Sequence, residues 1–177
     1  MNLVYVLAYM VLWPVFRILL PTKAVNKHNL PDRGALYCAN HTRLNDPLFV
    51  AFALGLSRQV HVMAKDEVMH WPVLGWILKK GGIFGVKRGK SDVTAIRTAL
   101  TYLKNGENLL LFPEGTRHQD GDMGDAKTGA AMLAVRTGAP IVPIYIPAEK
   151  HWFRFTPVVF GEPYYPKVAG RKGTSEE

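Results

Sequence analysis

Between residues 35 and 146 the chain alternates short apolar runs with stretches of helical periodicity, and this alternation restricts the fold more than any other feature. Runs of strand length fall at 35–39, 59–64, 82–86, 109–112 and 141–146, with more strand-like sequence at 153–160. One helical stripe, Val93, Ile96, Leu100 and Leu103, begins after Ser91 as expected N-cap and ends at Gly106. A second helix is expected from about 128 to 135, stopping near Gly138. Strands that alternate with helices predict an α/β fold with a mostly parallel central sheet flanked by helices.

Ahead of this body lies a different kind of segment. Residues 3–16 carry no charge and include Tyr5, Tyr9 and Trp13; beyond Arg17 the apolar character continues through Ile18, Leu19 and Leu20. A full span takes about 20 apolar residues, and a shorter run suits a re-entrant or interfacial helix. No basic residue precedes the run and no small-residue cleavage site follows it, so an uncleaved N-terminal membrane-associated helix is expected rather than a signal peptide. Arg17, Lys23 and Lys27 place the following segment on the cytoplasmic side. The competing reading is an ordinary buried helix of the core.

The net charge of +8 draws the body toward anionic lipid or nucleic acid. At 177 residues one hydrophobic core is sufficient for stability. Cys38 is the only cysteine, which excludes an intramolecular disulfide and a cysteine-cluster metal site and fits a reducing, intracellular compartment.

The sharpest chemical signal is Asn40-His41-Thr42-Arg43-Leu44-Asn45-Asp46-Pro47, directly after an expected strand. Pro47 suits the first turn of a helix running toward Leu54, with Asp46 as its N-cap. On a continuous helix a five-residue separation would point His41 and Asp46 apart, whereas a strand-to-helix turn lets them meet. A carboxylate accepting from one imidazole nitrogen fixes the tautomer and leaves the other nitrogen as a base. Alternatively Asp46 caps the helix and His41 is a polar loop residue; the two roles are compatible, because a carboxylate has two oxygens. Ser57, Ser91 and Ser175 lie in no nucleophile elbow, and Cys38 sits in an expected strand as an inert small hydrophobe.

From Lys79 to Lys90 the chain carries Lys79, Lys80, Lys87, Arg88 and Lys90, spaced by Gly81, Gly82, Gly85 and Gly89 and without an acidic residue. Such a loop either cradles an anion or is simply solvated. It is not a nucleotide-binding P-loop, because Phe84 stands where the first glycine of that motif is needed. Downstream, Phe112-Pro113-Glu114-Gly115-Thr116-Arg117 follows another apolar run. Arg117 suits a phosphate, with Glu114 holding it or accepting from a substrate hydroxyl; a surface ion pair is the alternative. His28, His61, His70, His118 and His151 show no ligand spacing, so no metal is assigned.

Together these blocks resemble the glycerolipid acyltransferase family typified by 1-acylglycerol-3-phosphate acyltransferase. Its four signatures are matched in order by Asn40-His41-x4-Asp46, Gly81-x-x-Phe84-x-x-x-Arg88-Gly89, Phe112 to Arg117, and Val142-Pro143-Ile144. The resemblance implies that His41 is the general base and Asp46 orients it. It implies that Arg88, Glu114, Gly115, Thr116 and Arg117 engage a glycerol-phosphate acceptor. It also implies a donor thioester on coenzyme A or acyl carrier protein, phosphatidic acid as product, no metal or organic cofactor, and work at the cytoplasmic face of the cell membrane. The domain organisation that follows is a membrane-anchoring segment at 1–20, a connector at 21–34, a catalytic domain at 35–166 and a polar tail at 167–177. Acylation of glycerol-3-phosphate or of another lysophospholipid is the near alternative, and a noncatalytic basic module binding lipid or nucleic acid the distant one.

Overall fold

The computed structural model describes residues 2–87, 92–114 and 129–166. In chain order its elements are α1 (Leu3–Leu19), β1 (Thr22–Val25), β2 (Leu36–Ala39), α2 (Asp46–Leu54), β3 (Val60–Lys65), α3 (Leu74–Lys80), β4 (Phe84–Val86), α4 (Val93–Lys104), β5 (Asn108–Leu111), α5 (Gly129–Thr137), β6 (Ile141–Tyr145) and β7 (Thr156–Phe160). The strands form one seven-stranded sheet in the order β1-β7-β6-β2-β5-β3-β4. Every pairing is parallel except β6 with β7.

Side chains alternate across the strands, and each face builds its own core. Tyr37, Ala39, Leu110, Val142 and Ile144 pack against Phe49, Val50, Ala53 and Leu54 of α2. On the opposite face Leu36, Leu109 and Leu111 meet Ala99 and Leu103 of α4 and Leu133 and Ala134 of α5. The strands therefore read as nearly unbroken apolar runs, as a sheet covered on both sides requires.

Several local features differ from the sequence reading. The N-cap of α4 is Asp92, whose side chain accepts from Ala95 N–H; Ser91 lies outside the described residues. The buried stripe of α4 is Ala95, Ala99 and Leu103, with Ile96 and Leu100 at its margin and Val93 exposed. Small alanines face the sheet because close helix–sheet contact leaves little room for larger ones. The strand expected at 82–86 is confined to β4, since Gly82 adopts a φ of 92° and turns the chain instead. Within the stretch read as a connector, Thr22–Val25 forms β1 on the sheet edge, in parallel register with β7.

Helix α1 is neither buried nor free. One side packs on α2, with Phe16 edge-on to Phe49 at 5.8 Å between centroids and Tyr9 edge-on to Phe52 at 5.2 Å. The other side leaves Leu3, Leu7, Met10, Val11, Val15 and Ile18 exposed, and none of its residues is fully buried. Among the described residues no helix is long and apolar enough to cross a membrane.

Parallel strands joined by helices end on one edge of the sheet, so the turns after β2, β4, β5 and β6 all open on the same side. This is the side where open parallel sheets bind ligands. Asp92 accepts from Lys87 N–H and Ala95 N–H at 3.0 Å each, joining the end of β4 to the start of α4. Gly85 is required by close approach: a Cβ at this position would lie 2.5 Å from Asp66 Oδ1 and 2.9 Å from Asp66 Cα. Gly85→Ala is expected to lower stability by about 1–3 kcal/mol through overpacking, measured by urea denaturation; an unchanged midpoint would contradict that packing.

Candidate active site

Strand β2 leaves the sheet at Asn40, whose side chain replaces the lost ladder. Its Nδ2 donates to Ile146 O and its Oδ1 accepts from Ile146 N–H, both at 2.8 Å. That amide clamp fixes the point from which the next residue, His41, turns away. Phe112, at the end of neighbouring β5, stacks on the imidazole with centroids 4.1 Å apart and planes 23° from parallel. The ring is held on one face by an apolar plate and at one edge by Asp46.

His41 Nδ1 lies 3.0 Å from Asp46 Oδ2. The same oxygen accepts the backbone N–H groups of Thr42 and Arg43, each at 2.7 Å. Because these amides can only donate, the carboxylate is the acceptor, and His41 carries its proton on Nδ1 toward Asp46. In a neutral imidazole this arrangement leaves the lone pair on Nε2. Asp46 is thus the first residue of α2 rather than its side-chain cap: its oxygen turns back onto the preceding turn, and Asn45 occupies the cap position without a side-chain bond.

The second carboxylate oxygen meets a residue that sequence reasoning missed. Lys150, in the connector between β6 and β7, places Nζ 2.8 Å from Asp46 Oδ1, with side-chain exposures of 4% and 0%. The same ammonium donates to Thr42 Oγ1 at 2.9 Å and stands 5.7 Å from the centre of the Phe49 ring. Nothing local marks Lys150: it is 108 residues from Thr42 and sits in a Glu149-Lys150-His151 run that reads as solvated. Burial alone would raise the Asp46 carboxyl. The hydrogen bonds from His41, Lys150 and the Arg43 amide, with the Lys150 charge, outweigh it and hold the group below the ordinary carboxylate value.

Glu114, two residues beyond Phe112, is buried, and its Oε2 has no hydrogen-bond partner among the described residues. Arg88, Gly115, Thr116 and Arg117 lie outside the described residues. Cys38 is in β2, and burial pushes its thiol up to about 12, away from nucleophilic use. His61 is a structural tie in β3, with Nδ1 3.0 Å from Gly82 O and Nε2 2.6 Å from Glu107 Oε2. No group of three or more His, Cys, Asp or Glu among the described residues is placed to hold a metal ion.

The arrangement is an imidazole aimed by a buried, ion-paired carboxylate at the end of β2 in a parallel sheet. The sequence model of the family described as Acyltransferase matches residues 22–147, and the chain belongs to that family. It is 36% identical over 122 residues to the 1-acyl-sn-glycerol-3-phosphate acyltransferase of Bacillus subtilis, covering 68% of this chain and 60% of the relative. A chloroplastic protein of the same name from Brassica napus is 35% identical over 120 residues, covering 66% of this chain and 34% of the relative. The chain thus spans only about a third of the length of that plant relative. Among solved structures, the 1-acyl-sn-glycerophosphate acyltransferase PlsC of Thermotoga maritima superimposes with a TM-score of 0.67 at 28% identity, over 89% of this chain and 68% of the other.

Because the native state holds Asp46 below the ordinary value, its contribution to stability is complete above the unfolded carboxyl pKa of about 3.9 and is lost as pH falls through the lower native one. Asp46→Asn is therefore expected to be less stable than wild type at pH 7, with the difference shrinking below about pH 4. Denaturation midpoints across that range measure it; a difference independent of pH would contradict the ionised pair.

Proposed function

We propose that the protein transfers a fatty acyl group from a thioester to the free hydroxyl of 1-acyl-glycerol-3-phosphate, giving phosphatidic acid. The observation that carries this reading is the His41–Asp46 pair at the end of β2, with Phe112 from the end of neighbouring β5 stacked on the imidazole. The substrate hydroxyl loses its proton to His41 Nε2 as its oxygen attacks the thioester carbonyl. The C–S bond of the tetrahedral intermediate then breaks, and the proton passes to the departing thiolate. Asp46 stabilises the imidazolium between these steps. The donor is acyl-CoA or acyl carrier protein, and the reaction so drawn uses no metal or organic cofactor. Arg88, Glu114, Gly115, Thr116 and Arg117 engage the glycerol phosphate, the arginines by charge-assisted hydrogen bonds.

A second acceptor has support. The lyso-ornithine lipid O-acyltransferase of Pseudomonas aeruginosa is 32% identical over 118 residues, so another lysolipid competes with the phosphate-bearing one as substrate.

In this reading the protein works at the cytoplasmic face of the cell membrane with α1 lying in the interface. Seventeen helical residues reach about 25 Å, short of a hydrocarbon core of about 30 Å. The exposed side of α1 continues into exposed Trp152, Phe153 and Phe155. Phe153 N–H donates to Leu19 O at 2.8 Å, and the Arg17 guanidinium carbon stands 5.5 Å from the Phe155 ring centre. An apolar surface with the Arg17 cation beside it suits anionic lipid.

Purified protein given lysophosphatidic acid and acyl-CoA or acyl carrier thioester is expected to release free thiol, and His41→Ala to lower the rate by about 10²- to 10⁴-fold while remaining folded. Equal thiol release by the two would remove His41 as the base. Arg117→Ala is expected to raise KM for the acceptor; an unchanged saturation curve would remove it from the site. Sedimentation with anionic vesicles checks the membrane reading. Val11→Asp with Ile18→Asp is expected to leave the protein in the supernatant, and undiminished pelleting would count against α1.

A further inference from the structure

We propose that Lys150 is a positioning residue of acyl transfer: its buried ammonium fixes Asp46 and sets the charge of the site so that His41 rests neutral and ready to take a proton. The inference rests on the assignment of His41 as base. Two independent observations support it. The first is geometric: Lys150 reaches Asp46 Oδ1 at 2.8 Å and Thr42 Oγ1 at 2.9 Å, and so holds both ends of the turn between β2 and α2. The second is electrostatic: Lys150 and Asp46 are both removed from solvent, which makes the sum of charges in the site decisive.

With a neutral imidazole, Lys150, Asp46 and His41 sum to zero; with a protonated one they sum to plus one. Without Lys150 the neutral imidazole leaves a buried minus one, and protonation restores zero. The ammonium therefore reverses which state of His41 a buried site favours. A base that rests protonated at neutral pH cannot accept the acceptor's proton, so the effect falls on catalysis as well as on folding.

Among the described residues, other charges around the pair are few. Helix α2 contributes Asp46 alone, and β2 contributes none. Glu114 is the buried carboxylate beyond β5. Arg43 reaches Asp46 through its backbone, while Glu149 and His151, flanking Lys150, pair with each other in solvent at 3.6 Å. Phe49 and Phe112 wall the remainder. Lys150 is thus the side-chain cation in contact with Asp46 among the described residues.

The test compares kcat/KM for thiol release against pH in wild type, Lys150→Met and Lys150→Arg, with folding followed by circular dichroism. Lys150→Met is expected to move the acidic limb upward by about one pH unit, a roughly tenfold loss on that limb that recovers at higher pH. Lys150→Arg keeps the charge and is expected to keep the wild-type limb. A uniform loss across pH in Lys150→Met, or a limb displaced equally in Lys150→Arg, would overturn the proposal. If Lys150→Met does not fold, Lys150→Gln, which keeps a donor without the charge, replaces it with the same two outcomes. His41→Ala separates the two readings: equal thiol release there refutes the base, whereas an inactive His41→Ala with an unmoved limb in Lys150→Met refutes Lys150 alone.

Discussion

The Asp46 carboxylate is the point on which the catalytic end of the molecule converges. One oxygen gathers His41 and two backbone amides, and the other meets Lys150. A buried carboxylate is costly unless it is paired, and here its partners come from two stretches of chain, residues 41–43 and Lys150. The conformation of the turn after β2 follows from that requirement, because Thr42 and Arg43 must aim their N–H groups at one atom. The direction of the imidazole follows from it too. The charge that makes the site reactive is the same charge that shapes the backbone around it.

The sheet explains why His41 and Phe112, far apart in the chain, arrive together. In parallel order each strand delivers its following turn to one edge, and the central neighbours β2 and β5 bring His41 and Phe112 into contact. The amide clamp of Asn40 on Ile146 then joins this pair to the end of β6, the strand that leads to Lys150. The antiparallel return of β7 lets β1 join the edge, and α1 lies two residues before β1.

Patterns with short range or strong periodicity were legible in the sequence. The alternation of apolar runs and helices announced a parallel α/β sheet, and the strand-to-helix turn announced that His41 and Asp46 could meet. Features fixed by distant partners were not legible. Strand β1 is four residues, Thr22-Lys23-Ala24-Val25, with no alternation of its own, and it exists as a strand because β7 is beside it. The inward face of α4 falls on Ala95 and Ala99, which a search for large apolar residues passes over. Lys150 is invisible for the same reason: its meaning comes from a carboxylate brought to it by the pairing of β6 with β2, strands far apart in the chain. The roles of Arg88 and Arg117 rest on family resemblance, since the described residues exclude them.

The placement of Lys150 and β7 has a consequence for how such chains are delimited. Both follow the last of the four signatures, and both follow Pro147, where the family match ends. A polypeptide cut at that boundary would retain every diagnostic motif yet leave the first strand unpartnered and a dehydrated anion without its counterion. Motif inventory and structural sufficiency are therefore separate properties, and the minimal autonomous unit extends at least to Phe160.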